Sequence, residues 1–120
     1  MVGSALYYRY DGGGDNDENV LLKVYLDTAK ADAVLDTILK EFNPLREGYE
    51  RLRQEHYKAY NDIADTEARR LWHISNRSTM VEASAIYQKN VQEVLNKFQI
   101  SYTFCPYDES NFFLTEVDIE

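Results

Sequence analysis

The 120-residue chain has one cysteine, two prolines, two histidines and 13 basic residues against 21 acidic ones, and its apolar runs are only a few residues long. Each shortage excludes something. Cys105 alone cannot close an intramolecular disulfide, and no charged-then-apolar leader opens the chain, so a disulfide-framed secreted protein is not expected and a reducing cytoplasm is. Runs far short of the ~18–20 apolar residues of a membrane-spanning helix predict no membrane partner. The formal charge of −8 and a pI near 4.7 argue against direct nucleic-acid binding, which draws most of its affinity from basic groups on phosphates. Apolar residues still make up 44% of the chain, enough for a core without staples, and the length predicts one domain over residues 1–120.

Catalytic and metal signatures are short as well. His56 and His73 are too far apart for zinc-ligand spacing, and Arg53 and Arg70 stand where a di-iron Glu-x-x-His motif needs glutamates. A calcium loop started at Asp15 would require Gly and Glu where Val20 and Leu26 stand. Gly12–Gly14 lead into acids, which repel phosphate, and the charged residues around Cys105 are acidic, which opposes a thiolate. The reading is therefore no enzyme, no metal and no cofactor.

Hydropathy patterning supplies the architecture. Residues 4–10 and 20–26 are strand-like runs joined by a glycine-rich acidic loop. Val34, Leu35, Ile38, Leu39 and Phe42 recur at helical spacing and predict a helix over about 28–42, ended by Pro44. A second amphipathic pattern runs from Leu45 through Tyr49, Leu52, His56, Tyr60, Ile63 and Leu71, weakening at Ser75–Ser78. Thr79 and Glu82 form a capping-box pair for a third helix to Phe98, although one bent helix over the whole stretch is also compatible. Ile100, Tyr102 and Phe104 alternate as a strand, and residues 111–119 alternate again. The predicted fold is α+β, ordered ββ-α-α-α-ββ, with both terminal hairpins in one antiparallel sheet packed on two or three central helices.

Charge is unevenly spread. Residues 1–44 sum to −4, residues 45–77 to +1, and residues 99–120 to −5 with no basic residue at all. If the hairpins share a sheet, one pole of the molecule carries about −9 by this segment count. Ten tyrosines accompany the acids. Tyr7 points opposite Tyr8 and Tyr10 on a strand, so one side of it presents aromatic surface, as does one of Phe112 and Phe113. The acidic aromatic hairpins are read as a protein-binding surface, with Tyr8, Tyr10, Asp15, Asp17, Tyr107, Asp108, Glu109, Phe112, Glu116 and Asp118 as its contact residues and a larger protein with a basic surface as its partner. The long helix offers a face for a second copy of the chain.

A basic cluster in the middle segment, Arg46, Arg51, Arg53, Lys58, Arg69, Arg70 and Arg77 with Tyr57 and Trp72, is read first as a salt-bridged helix face, for example Asp65 with Arg69. The alternative is a site for a nucleotide signal, gripped by arginine and stacked on tyrosine or tryptophan. A structural subunit of a virion or larger assembly is the third reading. In size, in the acidity of the hairpin regions and in the aromatic strands 4–10 and 111–119, the chain resembles phage-encoded proteins that block bacterial defence systems, including inhibitors of CRISPR effectors and of Sir2-type NADases. The resemblance implies stoichiometric inhibition by binding in a host cytoplasm.

Overall fold

The computed structural model describes residues 2–11, 17–104 and 109–119. They form β1 (Val2–Asp11), β2 (Asp17–Tyr25), α1 (Thr28–Asn61), α2 (Thr66–Asn96) and β3 (Glu109–Asp118). The α+β class and the antiparallel sheet are as expected, but the described strands number three, in the order β2-β1-β3, and the helices number two. The molecule extends 63 × 29 × 19 Å. Its sheet and the adjoining helix ends form a head, and the far halves of α1 and α2 project from it as an arm.

The differences in helix boundaries have local causes. Pro44 does not end the first helix but lies within α1. It deprives the Lys40 carbonyl of its amide donor, yet both residues are exposed, so water can serve that carbonyl. Ser75–Ser78 do not break α2 either, because Asn76 donates its side-chain amide to the Trp72 carbonyl one turn back, at 2.9 Å, and the helix continues. The reversal falls instead at Asp62–Asp65. Asp65 caps α2 by accepting from the Ala68 amide at 2.8 Å, and the Arg69 guanidinium donates to the Ile63 carbonyl at 3.1 and 2.8 Å. The expected Asp65–Arg69 side-chain pair is thus replaced by two caps of the same turn.

Residues 100–104 are core but not strand. Gln92 of α2 takes the part of a neighbouring strand, donating to the Tyr102 carbonyl at 2.9 Å and accepting from the Phe104 amide at 2.8 Å. The segment enters through a helix-ending turn in which the Ile100 amide reaches the Leu95 carbonyl at 3.2 Å and Gln99 adopts a left-handed φ of 58°. That turn delivers Ile100 and Phe104 to the interior.

The core is aromatic. Leu6, Tyr8 and Phe112 from the sheet meet Val34, Ile38 and Phe42 from α1, Tyr87, Val91 and Leu95 from α2, and Phe104. Tyr8 lies 5.1 Å from Phe112 and 5.5 Å from Phe104, and Phe42 packs edge-on to Phe112 at 4.9 Å. Burial of this kind holds the Tyr87 hydroxyl neutral well above its ordinary value near 10, the nearby Arg46 charge opposing only in part.

Phe104, Gly48, Gln99 and Tyr87 each set stability in a measurable way. Phe104→Ala is expected to cost about 3–5 kcal/mol in denaturant unfolding, as for a fully buried ring, despite the irregular backbone around it. Gly48 lies inside α1 with open space where the methyl group of an alanine would project, and Gln99 holds the left-handed angle. Gly48→Ala and Gln99→Gly are each expected to raise stability by about 0.5–1 kcal/mol, a shift of the unfolding midpoint to higher denaturant. Because the folded-state pKa of Tyr87 is raised, its contribution is fully present below the unfolded value near 10 and is lost as pH rises beyond it. Stability is expected to fall between about pH 10 and about pH 12, and Tyr87→Phe to flatten that fall, measured as unfolding midpoint against pH.

Candidate functional site

Strand parity decides which side chains of the sheet a partner could meet. Leu6 and Tyr8 point toward the helices and are fully buried, and Phe112 beside Tyr8 is 2% exposed. Tyr8 and Phe112, expected at the contact surface, are core residues and have no surface to offer. Tyr10, on the same side, is half-buried and donates its hydroxyl to Glu18. Glu116 and Asp118 are exposed. Asp17 and Glu109 begin β2 and β3 at the end of the sheet where Asp11 pairs with both. Asp15, Tyr107 and Asp108, like the glycine-rich loop weighed for calcium, lie outside the described residues.

The single acidic pole is divided. Because β3 runs antiparallel to β1, Glu109 sits beside Asp11 whereas Glu116 and Asp118 pair with Ser4 and Val2. Seven residues of strand separate Glu109 from Glu116, roughly 23 Å, so the acids occupy opposite ends of the sheet.

The opposite face of the sheet carries the aromatic surface instead. One row across it is Leu21, Tyr7 and Phe113, with the Tyr7 and Phe113 rings stacked at 5.4 Å and 12°. The next row is Val24, Ala5 and Thr115. Helices cover only the other side, so Leu21 remains 54% and Val24 46% exposed. The aromatic surface expected on the Tyr8 and Tyr10 side of β1 lies on the Tyr7 side. Arg9, which shares a face with Tyr7, is the signal that this side meets water. Leu21 is harder to assign. A bulge between Leu6 and Tyr7 gives β2 one extra residue and reverses its alternation there.

The arm is the second surface. No residue between Asn43 and Ile86 is buried, so this stretch of the helical hairpin has no core of its own. The helices touch through rings: Tyr49 stacks on Tyr87 at 4.6 Å, and nearer the tip Trp72 meets His56 at 4.9 Å and Tyr60 at 6.2 Å. Between these contacts the helices leave a cleft of about 450 Å³. From α1 it receives Tyr49, Arg53, His56, Tyr57 and Tyr60, and from α2 His73, Arg77, Met80 and Val81, both sets at helical spacing. The Arg53 guanidinium stands 6.0 Å from the Tyr49 and Tyr57 rings. No carboxylate is among the lining residues.

Of the basic cluster read from the sequence, Arg53 and Arg77 therefore line a cleft. Arg70 is held by Glu67 at 2.6 Å, a contact that also keeps the Glu67 carboxyl below the usual range, and Arg69 serves the turn. Among the described residues no three His, Cys, Asp or Glu side chains gather to hold a metal ion, and no helix is long and apolar enough to cross a membrane. No family model, curated protein or solved structure matches the chain.

Proposed function

We propose that this chain is a noncatalytic binding protein that docks the outer face of its sheet on a functional surface of a larger partner protein. The observation that carries the reading is the uncovered row of Leu21, Tyr7 and Phe113, an aromatic and aliphatic patch of the kind enriched where binding energy concentrates. The acids at both ends of the sheet favour a partner with basic surroundings: they speed encounter and orient it, while the apolar row supplies the contact. The resemblance to phage-encoded anti-defence proteins supports inhibition as the outcome of binding, with a bacterial defence complex as the class of target. Tyr8 and Phe112 have no part in this surface, and Tyr7, Leu21 and Phe113 take their place.

The test compares variants in affinity capture from a bacterial lysate, with circular dichroism confirming that each folds. Leu21 is exposed, so Leu21→Arg leaves the core untouched; it is expected to reduce recovery of the captured partner at least tenfold. Glu116→Lys with Asp118→Lys is expected to slow association and weaken its salt dependence with a smaller loss of recovery. Undiminished capture by Leu21→Arg would remove the sheet face from the mechanism. Sedimentation of the purified protein separates a partner of different sequence from a second copy of this chain.

A further inference from the structure

We infer that the cleft between the helices of the arm is a binding site for a mononucleotide. It is separate from the sheet face. Three properties of the cleft point to this ligand chemistry. The first is charge: two guanidiniums line the cleft and no carboxylate does, in a chain whose acids outnumber its bases by 21 to 13. A cavity without acids in an acidic protein is a place where an anion is attracted. The second is shape: Tyr49, Tyr57 and Tyr60 bring three flat rings to the same cavity, and Arg53 already lies near two of them, so a planar base can stack where a phosphate is within reach of the guanidiniums. The third is size. A volume of about 450 Å³ falls in the lower part of the ~300–1000 Å³ range of small-molecule pockets, which suits one nucleotide better than a dinucleotide or a strand.

Packing energetics agree. Two helix segments that bury no residue between Asn43 and Ile86, and that touch through rings at Tyr49–Tyr87 and at His56–Trp72, leave contacts unmade along the cleft between them. A ligand that fills the cleft supplies the missing contacts to both helices at once and therefore stabilises the arm.

The chain carries its own reporter, because its only tryptophan, Trp72, packs on His56 and Tyr60 at the border of the cleft. The purified full chain is titrated with AMP, GMP, CMP and UMP while Trp72 fluorescence is followed, with calorimetry in parallel. Adenosine, inorganic phosphate and a single-stranded oligonucleotide serve as comparisons. The expected result is saturable binding of at least one mononucleotide with a Kd below about 1 mM, and binding of adenosine or phosphate alone at least tenfold weaker. Arg77 is exposed, so Arg77→Gln is expected to leave melting unchanged and to weaken nucleotide binding about tenfold; Arg53→Gln is expected to do the same to binding. The inference is overturned by any of four results: no saturable binding by either method, adenosine or phosphate binding as tightly as the nucleotide, a tighter complex with the oligonucleotide, or unchanged affinity in the folded Arg53→Gln and Arg77→Gln variants.

Discussion

The central strand β1, β3, both helices and the segment after α2 meet at one cluster of aromatic rings, and the placement of the rest depends on it. Tyr8 of the central strand touches rings from β3, from the segment after α2 and from its own strand, and Phe42 and Tyr87 bring the two helices to the same centre. Rings are large and pack edge-to-face or offset, so they hold neighbouring backbones farther apart than small aliphatic side chains would. The consequence runs outward along the helices. Phe42 and Tyr87 are 6.5 Å apart, Tyr49 continues the stack, and His56, Tyr60 and Trp72 repeat the arrangement near the tip. One choice of residue type therefore fixes the core, the spacing of the helices and the cleft between them.

The parts of the fold legible in the sequence are those where period and burial agree. Val34, Ile38 and Phe42 announce the buried stripe of α1, and residues 111–119 announce β3. Pro44 and Ser75–Ser78 mislead because they are breakers only when the backbone groups they disturb lack another partner. Here the freed carbonyl faces water in one case, and Asn76 bonds back along its own helix in the other. The true reversal at Asp62–Asp65 contains neither glycine nor proline, and its stop is made by a cap and by an arginine six residues on. Residues 100–104 alternate like a strand because alternate side chains enter the core, but alternation reports burial, not pairing. A glutamine on a helix takes the hydrogen bonds that a strand would have used.

The candidate surfaces are legible in kind and not in position. Net acidity of both termini can be read from the chain, but antiparallel pairing of β3 with β1 sends its two groups of acids to opposite ends. That separation depends on register, which composition does not contain. Parity requires that either Tyr7 or its neighbours face outward, and Arg9 two residues from Tyr7 marks the side. The arginines of the middle segment are visible as a cluster, whereas the division of labour among them is not. Arg69 and Arg70 are consumed by the turn and by Glu67, and Arg53 and Arg77 reach the cleft because they stand about one turn from His56 and His73 on facing helices.

The bulge in β2 has a bearing on how the molecule behaves at high concentration. A three-stranded sheet with an apolar face and two open edges is a template on which further strands could add, in solution or in a fibre. Here β2, at one edge, is interrupted by the extra residue at Leu22, which increases the local twist and breaks the even row of backbone groups that an incoming strand needs. At the other edge β3 ends in Glu116 and Asp118, whose charges oppose a like strand. Strand addition is discouraged at both sides while the flat face between them stays open. The apolar face can thus stay available to a partner while edge-to-edge extension of the sheet is disfavoured.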